Sequence, residues 1–246
     1  MKKLLFVLIA SFLAIGFAQD LGGRVLLIGS DTTYPPFETV SEDGEIVGFD
    51  IDLMNAVCER VNCVAQFQTT AWDGIFAALA AGEFDAVVSG VSITPERDEI
   101  VDFSNPYLVV NQAITVRVED EDLTFEDFKD DGDLILGAQI GTTNANLAEA
   151  EFGRDRVQLY DTFPAAILAL INGDISGVVI DGTAADAFEQ QYAGQVSVNI
   201  RGLSADPLGM VVQEGDELVD ALNAGLTMIQ EDGTLDALIS KWFNEE

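Results

Sequence analysis

Arg97 stands at a position where a cation is uncommon. Thr94 followed by Pro95 is a good N-cap and first position of a helix, which puts Arg97 in the first turn. The helix dipole favours acidic residues there, so Arg97 is expected to hold an anion, and a guanidinium suits bidentate contact with a carboxylate. A structural ion pair with Asp98 or Asp102 is the alternative, and local spacing leaves both interpretations open.

A second segment, Gly141-Thr142-Thr143-Asn144, follows a predicted strand and opens a predicted helix. The first backbone N–H groups of a helix have no partner within it and lie at the positive end of its dipole, so such a turn favours an anion. Thr142 and Thr143 are therefore candidates for an anion site. Threonine is also an ordinary helix cap, so this motif alone is a weak signal.

Asp181 ends a predicted strand and could supply the opposite charge. A carboxylate that faces a cleft at the end of a strand can hold an ammonium group. The alternative is a surface N-cap for a helix that starts near Thr183. An internal repeat, described below, favours the binding role.

An acid and two aromatic residues lie beside predicted turns. Asp31 and Tyr34 belong to the loop that leaves the first strand, and Trp72 begins a helix. Aromatic residues at helical spacing are usually core, but a position beside a turn favours a pocket wall. An anion site, a cation site and an aromatic wall together are what binding of an α-amino acid zwitterion requires.

The elements that would position these residues alternate along the chain. Short apolar runs predict strands at 25–29, 84–88, 134–139 and 177–180. Apolar positions at helical spacing predict helices at 50–61, 72–81, 144–151, 165–171, 217–230 and 235–243. Alternation of this kind predicts an α/β fold with mainly parallel sheets flanked by helices.

The chain also contains an internal repeat. Residues 78–90 can be aligned with residues 169–181, because each segment is a helix, a glycine, an acidic residue and a buried strand. A weaker repeat aligns residues 28–33 with residues 139–143. Two similar α/β halves are therefore expected, each with polar residues at the carboxyl ends of its strands, where ligands bind in open parallel sheets.

Composition excludes several functions. The 246 residues include 43 Asp plus Glu and 11 Lys plus Arg, for a net charge of −32, which argues against nucleic-acid binding. The absence of His rules out an imidazole-based triad and a His-ligated zinc site, and two Cys cannot build a Cys-only cluster. The acidic residues are scattered, which favours a solvated surface. Such a surface could be an adaptation to high salt, or it could steer cationic ligands toward the protein.

Residues 1–18 have the pattern of a cleaved secretory signal. Lys2 and Lys3 precede a short apolar stretch, and small residues stand before a cut at Gln19. No Cys follows the cut, so a lipid anchor is not expected. In an oxidising compartment, Cys58 and Cys63 are expected to form a local disulfide, with two reduced, buried cysteines as the alternative.

Two longer strings carry a family resemblance. The segment Gly48-Phe49-Asp50-Ile51-Asp52-Leu53, with apolar residues continuing to position 61, resembles the signature of the periplasmic amino-acid-binding proteins of ABC importers, the polar and basic amino-acid family. Ser92-Ile93-Thr94-Pro95-Glu96-Arg97, followed by Asp102-Phe103-Ser104, resembles its second hallmark. The resemblance implies a type II, two-lobe Venus-flytrap fold with two hinge strands. Lobe 1 would be residues 19–109 plus 206–246, and lobe 2 residues 110–205.

The resemblance also implies a binding site. Arg97, Ser92 and the N–H of Thr143 would hold the ligand carboxylate. Asp181, Ser92 and a carbonyl near Gly90 would hold the ammonium, Tyr34 and Trp72 would enclose the side chain, and Asp31 and Gln139 would contact its polar end. The residues expected to bind the ligand are Asp31, Tyr34, Trp72, Ser89, Gly90, Ser92, Arg97, Gln139, Thr142, Thr143 and Asp181.

The implied function is capture of an L-amino acid by lobe closure and delivery to an ABC permease, by a periplasmic monomer without a cofactor, metal or catalytic residue. Asp31 and Gln139 favour arginine, lysine or ornithine, with glutamine close behind. Gly90 stands where several relatives that bind basic amino acids have a second Ser, which puts one hydroxyl contact in question. A cyclohexadienyl-dehydratase-like enzyme and a sensor domain are further alternatives.

Overall fold

The computed structural model describes residues 20–243, so the predicted signal segment lies outside the described residues. The strands in this range are β1 (Arg24–Ser30), β2 (Thr33–Tyr34), β3 (Glu38–Val40), β4 (Ile46–Val47), β5 (Cys63–Thr69), β6 (Ala86–Val87), β7 (Val101–Phe103), β8 (Leu108–Val110), β9 (Gln112–Arg117), β10 (Leu136–Gln139), β11 (Val157–Tyr160), β12 (Gly177–Asp181), β13 (Val196–Ile200), β14 (Asp206–Leu208) and β15 (Val211–Gln213). The helices are α1 (Phe49–Val61), α2 (Ile75–Ala80), α3 (Pro95–Asp98), α4 (Phe125–Asp130), α5 (Thr143–Phe152), α6 (Phe163–Asn172), α7 (Gly182–Gln191), α8 (Leu218–Glu231) and α9 (Thr234–Phe243).

Two five-stranded sheets organise the molecule. Their strand orders are β5-β1-β6-β15-β7 and β11-β10-β12-β9-β13. In each sheet the first three strands are parallel and joined by crossover helices, whereas β15 and β9 pair antiparallel with both of their neighbours. The predicted α/β architecture with flanking helices is confirmed. Only half of the strand pairings in each sheet are parallel. Strands β9 and β15 follow directly on the strands that connect the two sheets, without the crossover helix that a parallel pairing needs, and they are antiparallel to their neighbours.

The chain crosses between the sheets twice. It leaves the first sheet through β8 and returns through β14, and these two strands pair antiparallel as a short ribbon, with Asp206 opposite Val110 and Leu208 opposite Leu108. A small sheet of β2, β3 and β4 precedes α1. The two sheets are therefore joined by the ribbon of β8 and β14, and they contact each other through the loops at their carboxyl ends.

The internal repeat corresponds to equivalent positions in the two sheets. Residues 78–90 contain the end of α2 and β6, and residues 169–181 contain the end of α6 and β12. Strand β6 lies beside β1 as β12 lies beside β10. The residues that follow these strands consequently reach the same edge of each sheet, as expected for ligand-binding positions.

Local signals place several helix boundaries. Asn62 ends α1 in the left-handed conformation, with φ 56° and ψ 57°. Cys58, in the last turn of α1, forms a disulfide with Cys63 at the start of β5. Thr94 caps α3, and its hydroxyl accepts a hydrogen bond from the N–H of Arg97. Within residues 20–243, every helix is too short or too polar to cross a membrane.

Candidate functional site

A narrow cavity, with an accessible volume of about 20 Å³, lies between the carboxyl ends of the two sheets. The residues that line it are Asp31, Tyr34, Trp72, Ser89, Gly90, Ser92, Arg97, Gln139, Thr142, Thr143, Asn144, Phe163 and Asp181. Every residue that the sequence nominated for ligand binding is in this set, together with Asn144 and Phe163, which it did not nominate.

Arg97 presents a half-buried cation to the cavity without an acidic partner among the described residues. Its guanidinium donates to the carbonyl of Ser92 at 2.9 Å and to the carbonyl of Gly141 at 3.4 Å, and it lies 5.2 Å from the centroid of the Trp72 ring. No acidic residue within 20–243 forms an ion pair with it. The carboxylate of Asp102 accepts instead from the N–H of Gly215 at 2.6 Å.

Electrostatics and neighbouring hydroxyl groups make this end of the cavity suited to an anion. Burial lowers the pKa of Arg97 to about 10, so the guanidinium stays protonated at neutral pH. The hydroxyl oxygens of Ser92 and Thr143 lie 3.4 Å apart beside it. Thr142 serves the fold, because its hydroxyl donates to the carbonyl of Gln139 at 2.7 Å and accepts from the N–H of Ala145. The free contacts here therefore come from Arg97, Ser92 and Thr143.

Asp181 supplies a buried carboxylate at the other end. Although it precedes α7, its side chain makes no capping hydrogen bond. Its Oδ1 accepts from Asn144 Nδ2 at 2.9 Å, and its Oδ2 accepts from the Tyr34 hydroxyl. Burial raises its pKa to about 6, partly offset by these two hydrogen bonds, so the group is ionised at neutral pH. An anion held this way favours a cationic ligand group.

Asp31 and Gln139 meet across the cavity. Gln139 Nε2 donates to Asp31 Oδ2 at 2.8 Å and to the carbonyl of Asp161 at 2.9 Å. The other oxygen of Asp31 accepts from the Thr33 hydroxyl at 2.7 Å. Asp31 and Gln139 therefore form a connected polar pair that joins the two sheets.

The aromatic residues divide between two parts of the cavity. The ring of Tyr34 stacks on Phe37 and Phe163, with centroids 5.1 Å and 5.4 Å away. Trp72 packs edge-to-face on Phe76 and lies beside the Arg97 guanidinium. The ring of Phe163, at the start of α6, therefore faces Tyr34.

Ser89 and Gly90 are committed to buried acids behind the cavity. The Ser89 hydroxyl donates to Glu38 Oε1 at 2.6 Å, and the N–H of Gly90 donates to Asp50 Oδ2 at 2.6 Å. Gly90 has φ 54°, and a Cβ there would lie 2.6 Å from Cε1 of Tyr34. A serine at this position would clash with the Tyr34 ring, so the placement of Tyr34 favours glycine here.

The two lining residues that sequence reasoning missed carry weak local signals. Asn144 directly follows the two threonines of the anion motif, but its Nδ2 faces Asp181, which lies 37 positions later. Phe163 follows the helix-capping Thr162, and an aromatic at a helix start does not by itself indicate a pocket. Within residues 20–243, no cluster of acidic residues or cysteines has the arrangement of a metal site.

Two α/β units with an enclosed polar cavity at facing strand ends define a two-lobed solute-binding protein of the type II periplasmic class, the fold of the solved structures it matches. The profile of the bacterial extracellular solute-binding proteins, family 3, matches residues 26–245. The chain belongs to this family, which its description places outside the cell.

Individual relatives are similar over nearly their whole length. The ABC transporter arginine-binding protein 1 of Escherichia coli (strain K12) is 34% identical, over 99% of each chain. An ancestral arginine-binding protein bound to glutamine is 34% identical, with a TM-score of 0.83 over 90% of this chain and 98% of that one. The ancestral amino acid-binding protein AncCDT-1, a precursor of cyclohexadienyl dehydratase, is 34% identical, with a TM-score of 0.81 over 89% of this chain and 95% of that one.

Proposed function

We propose that this protein captures a polar or basic L-amino acid and delivers it to an ABC-type permease, with arginine, lysine or ornithine favoured. The observation that carries the proposal is the pairing of a half-buried cation and a buried carboxylate in one cavity. Arg97 has no ion pair among the described residues, and the Asp181 carboxylate is not used as a helix cap. The two groups influence each other electrostatically across the cavity, as sites for the two ends of a zwitterion should.

The proposed roles follow from the donors and acceptors at each end. The ligand carboxylate accepts from the Arg97 guanidinium, the Ser92 hydroxyl and the N–H of Thr143 at the start of α5. The ligand ammonium donates to Asp181 in place of the Tyr34 hydroxyl, with the carbonyl of Gly90 nearby. Asn144 then acts by holding the Asp181 carboxylate in position.

The polar end of the ligand side chain is assigned to Asp31 and Gln139. A carboxylate and an amide oxygen together accept several N–H donors, which suits a guanidinium or an ammonium group. The E. coli relative is named for arginine binding. Glutamine is the second candidate, because the ancestral arginine-binding protein of similar structure is bound to glutamine.

The proposed mechanism is closure of two lobes on the ligand. Lobe 1 comprises residues 19–109 and 206–246, lobe 2 comprises residues 110–205, and β8 and β14 serve as the hinge. Contacts from Tyr34 to Asp181 and from Asp31 to Gln139 join the lobes across the cleft, and a bound ligand would bridge the same groups. The closed form then docks, as a monomer, on the permease.

Residues 1–18 are proposed to be a signal peptide that is removed before Gln19, which leaves a periplasmic protein without a lipid anchor. The disulfide between Cys58 and Cys63 supports an oxidising compartment. A dehydratase-like activity is the alternative from another class, in view of the similarity to the precursor of cyclohexadienyl dehydratase. It is disfavoured because that chemistry needs an acid or base beside a substrate that lacks an ammonium group, whereas the Asp181 carboxylate, held by Tyr34 and Asn144, suits an ammonium group.

The test is a thermal-denaturation panel on ligand-stripped protein with the common L-amino acids, ornithine and prephenate. A ligand at about 1,000 times its Kd adds about 4 kcal/mol and moves the midpoint by several degrees. Arginine, lysine or ornithine should produce this shift, and Asp31→Asn should weaken it, whereas the exposed-site control Asp155→Asn should not. A shift with glutamine alone would overturn the proposed specificity, and a shift with prephenate alone would overturn the transport role.

A further inference from the structure

Two buried carboxyl groups, Glu38 on β3 and Asp50 in the first turn of α1, lie directly behind the binding cavity. Both side chains are fully buried. The backbone N–H of Asp50 donates to the carbonyl of Phe37, at 3.0 Å, which brings the start of α1 alongside the residue that precedes Glu38. The two carboxyl groups lie within hydrogen-bonding reach of each other. The proposed function leaves this pair unexplained, although Asp50 belongs to the sequence string that resembles a family signature.

The hydrogen bonds of the pair account for one oxygen of each group. Asp50 Oδ2 accepts from the N–H of Gly90 at 2.6 Å and from the Tyr107 hydroxyl at 3.0 Å, and Glu38 Oε1 accepts from the Ser89 hydroxyl at 2.6 Å. The remaining oxygens, Glu38 Oε2 and Asp50 Oδ1, are buried without a donor among the described residues. Two ionised carboxylates in this arrangement would leave both oxygens unsatisfied and would repel each other. A single proton between them removes both penalties.

We propose that Glu38 retains a proton at neutral pH and donates it to Asp50, and that the resulting acid pair positions Ser89 and Gly90 for ligand binding. Asp50 is the better anion because it accepts two other hydrogen bonds and lies at the positive end of α1. Glu38 is then the acid, and its second oxygen fixes the Ser89 hydroxyl. That hydroxyl in turn accepts from the N–H of Asp31 at 2.9 Å, so the pair also supports the polar end of the site.

The surroundings agree with this protonation. Burial, followed by repulsion from Asp50, raises the pKa of Glu38 well above its ordinary value, and burial raises the pKa of Asp50 to about 7. The ionisable groups that face the pair are Tyr34, Tyr107 and Asp31. Burial holds the pKa of both tyrosines well above their ordinary value, so they remain neutral over the same pH range.

The positioning role rests on the proposed function, but the proton can be tested without any ligand. The full ligand-stripped chain is compared with Glu38→Gln, in which an amide N–H replaces the acid proton, and with the control Glu83→Gln, which removes an exposed carboxylate. Between about pH 5 and pH 8, the unfolding equilibrium constant of the wild type, divided by that of Glu38→Gln, should rise about tenfold per pH unit. The sign follows because the folded state holds a proton that the unfolded state releases. Infrared absorption of a protonated carboxyl group at about pH 8 should be present in the wild type and the control, and missing in Glu38→Gln.

Binding provides the second arm. L-arginine and L-glutamine are titrated into wild type, Glu38→Gln and Glu38→Met. Glu38→Gln should retain the wild-type Kd to within about threefold, whereas Glu38→Met, which cannot hold Ser89 or donate to Asp50, should weaken binding by at least about tenfold.

Equal pH slopes for wild type and Glu38→Gln, or a wild type without a protonated carboxyl, would overturn the shared proton. Unchanged binding by Glu38→Met would overturn the positioning role. If Glu38→Met does not fold, the Kd of Glu38→Gln is the deciding measurement. A loss of binding in Glu38→Gln would also overturn the positioning role. Failure of the wild type to bind either amino acid would count against the proposed ligand class and leave the proton result standing.

Discussion

Replacing Asp181 by Asn is expected to stabilise the fold while it weakens amino-acid binding. The carboxylate is 3% exposed, and burial raises its pKa from 3.8 to about 6. Each pKa unit corresponds to about 1.4 kcal/mol, so keeping this group ionised in the folded state costs about 3 kcal/mol at pH 8. Asn has the same shape and no charge, which removes that cost. Its amide oxygen can still accept one of the two hydrogen bonds, so about 3 kcal/mol is an upper limit.

The pH dependence of this gain makes the prediction specific to Asp181. Because the folded pKa is raised, the wild type is most stable where the group is protonated, below its unfolded value, and loses that stability as the pH rises through about 6. The advantage of Asp181→Asn should therefore be about 0.5 kcal/mol at pH 4 and grow to at most about 3 kcal/mol at pH 8. Both proteins contain the other buried acids, whose titration cancels in the difference.

The assay is urea denaturation of ligand-stripped protein at the two pH values, with isothermal titration of L-arginine at pH 8. Asp186→Asn is the matched control, because it removes an exposed carboxylate from the same helix, where Asp186 pairs with Arg201. The control should lose up to about 1 kcal/mol, whereas Asp181→Asn should lose at least about 100-fold in affinity for arginine. A variant that is no more stable at pH 8 than at pH 4 relative to wild type, or that binds arginine normally, would refute the assignment of Asp181 as a buried ammonium acceptor.

Three further changes test separate parts of the structure. Arg97→Lys keeps the charge but loses the planar pair of donors, so the Kd for arginine should rise at least about 30-fold by titration calorimetry, and an unchanged Kd would argue against bidentate carboxylate binding. Gly90→Ala puts a Cβ 2.6 Å from the Tyr34 ring at φ 54°, and urea denaturation should show a loss of about 1–3 kcal/mol, while a neutral effect would mean that Tyr34 moves freely. Replacing Cys58 and Cys63 together by Ser opens a loop with a sequence separation of 5, which should lower the free energy of unfolding by about 2 kcal/mol and leave the Kd unchanged; a weaker Kd would place the disulfide in the binding mechanism.

Local structure was predictable from the sequence where short-range chemistry decides it. The Thr94 cap is where the residue types predict it, because the groups that form it lie within one helical turn. The α/β class followed from the alternation of apolar periods. The antiparallel pairing of β9 and β15 could not be predicted in this way, since it depends on how the chain crosses between the sheets.

The chemistry of the site required contacts between distant segments. The sequence left Arg97 between a ligand role and an ion pair, and only the packing around it shows that it has no acidic partner among the described residues. It likewise left Asp181 between a ligand role and a helix cap. The decisive contact, with Tyr34, joins residues 147 positions apart, and the contact between Asp31 and Gln139 spans 108 positions.

The sequence by itself thus determined the type and sign of each candidate binding group and the family to which the chain belongs. The tertiary structure alone decided which groups are available: it committed the hydroxyl of Ser89 to a buried acid, put Phe163 opposite Tyr34, and brought Glu38 and Asp50 together. The physical reason is range. Residue type and helical period act over a few positions, whereas burial, hydrogen-bond competition and charge repulsion act between segments that only the folded chain brings into contact.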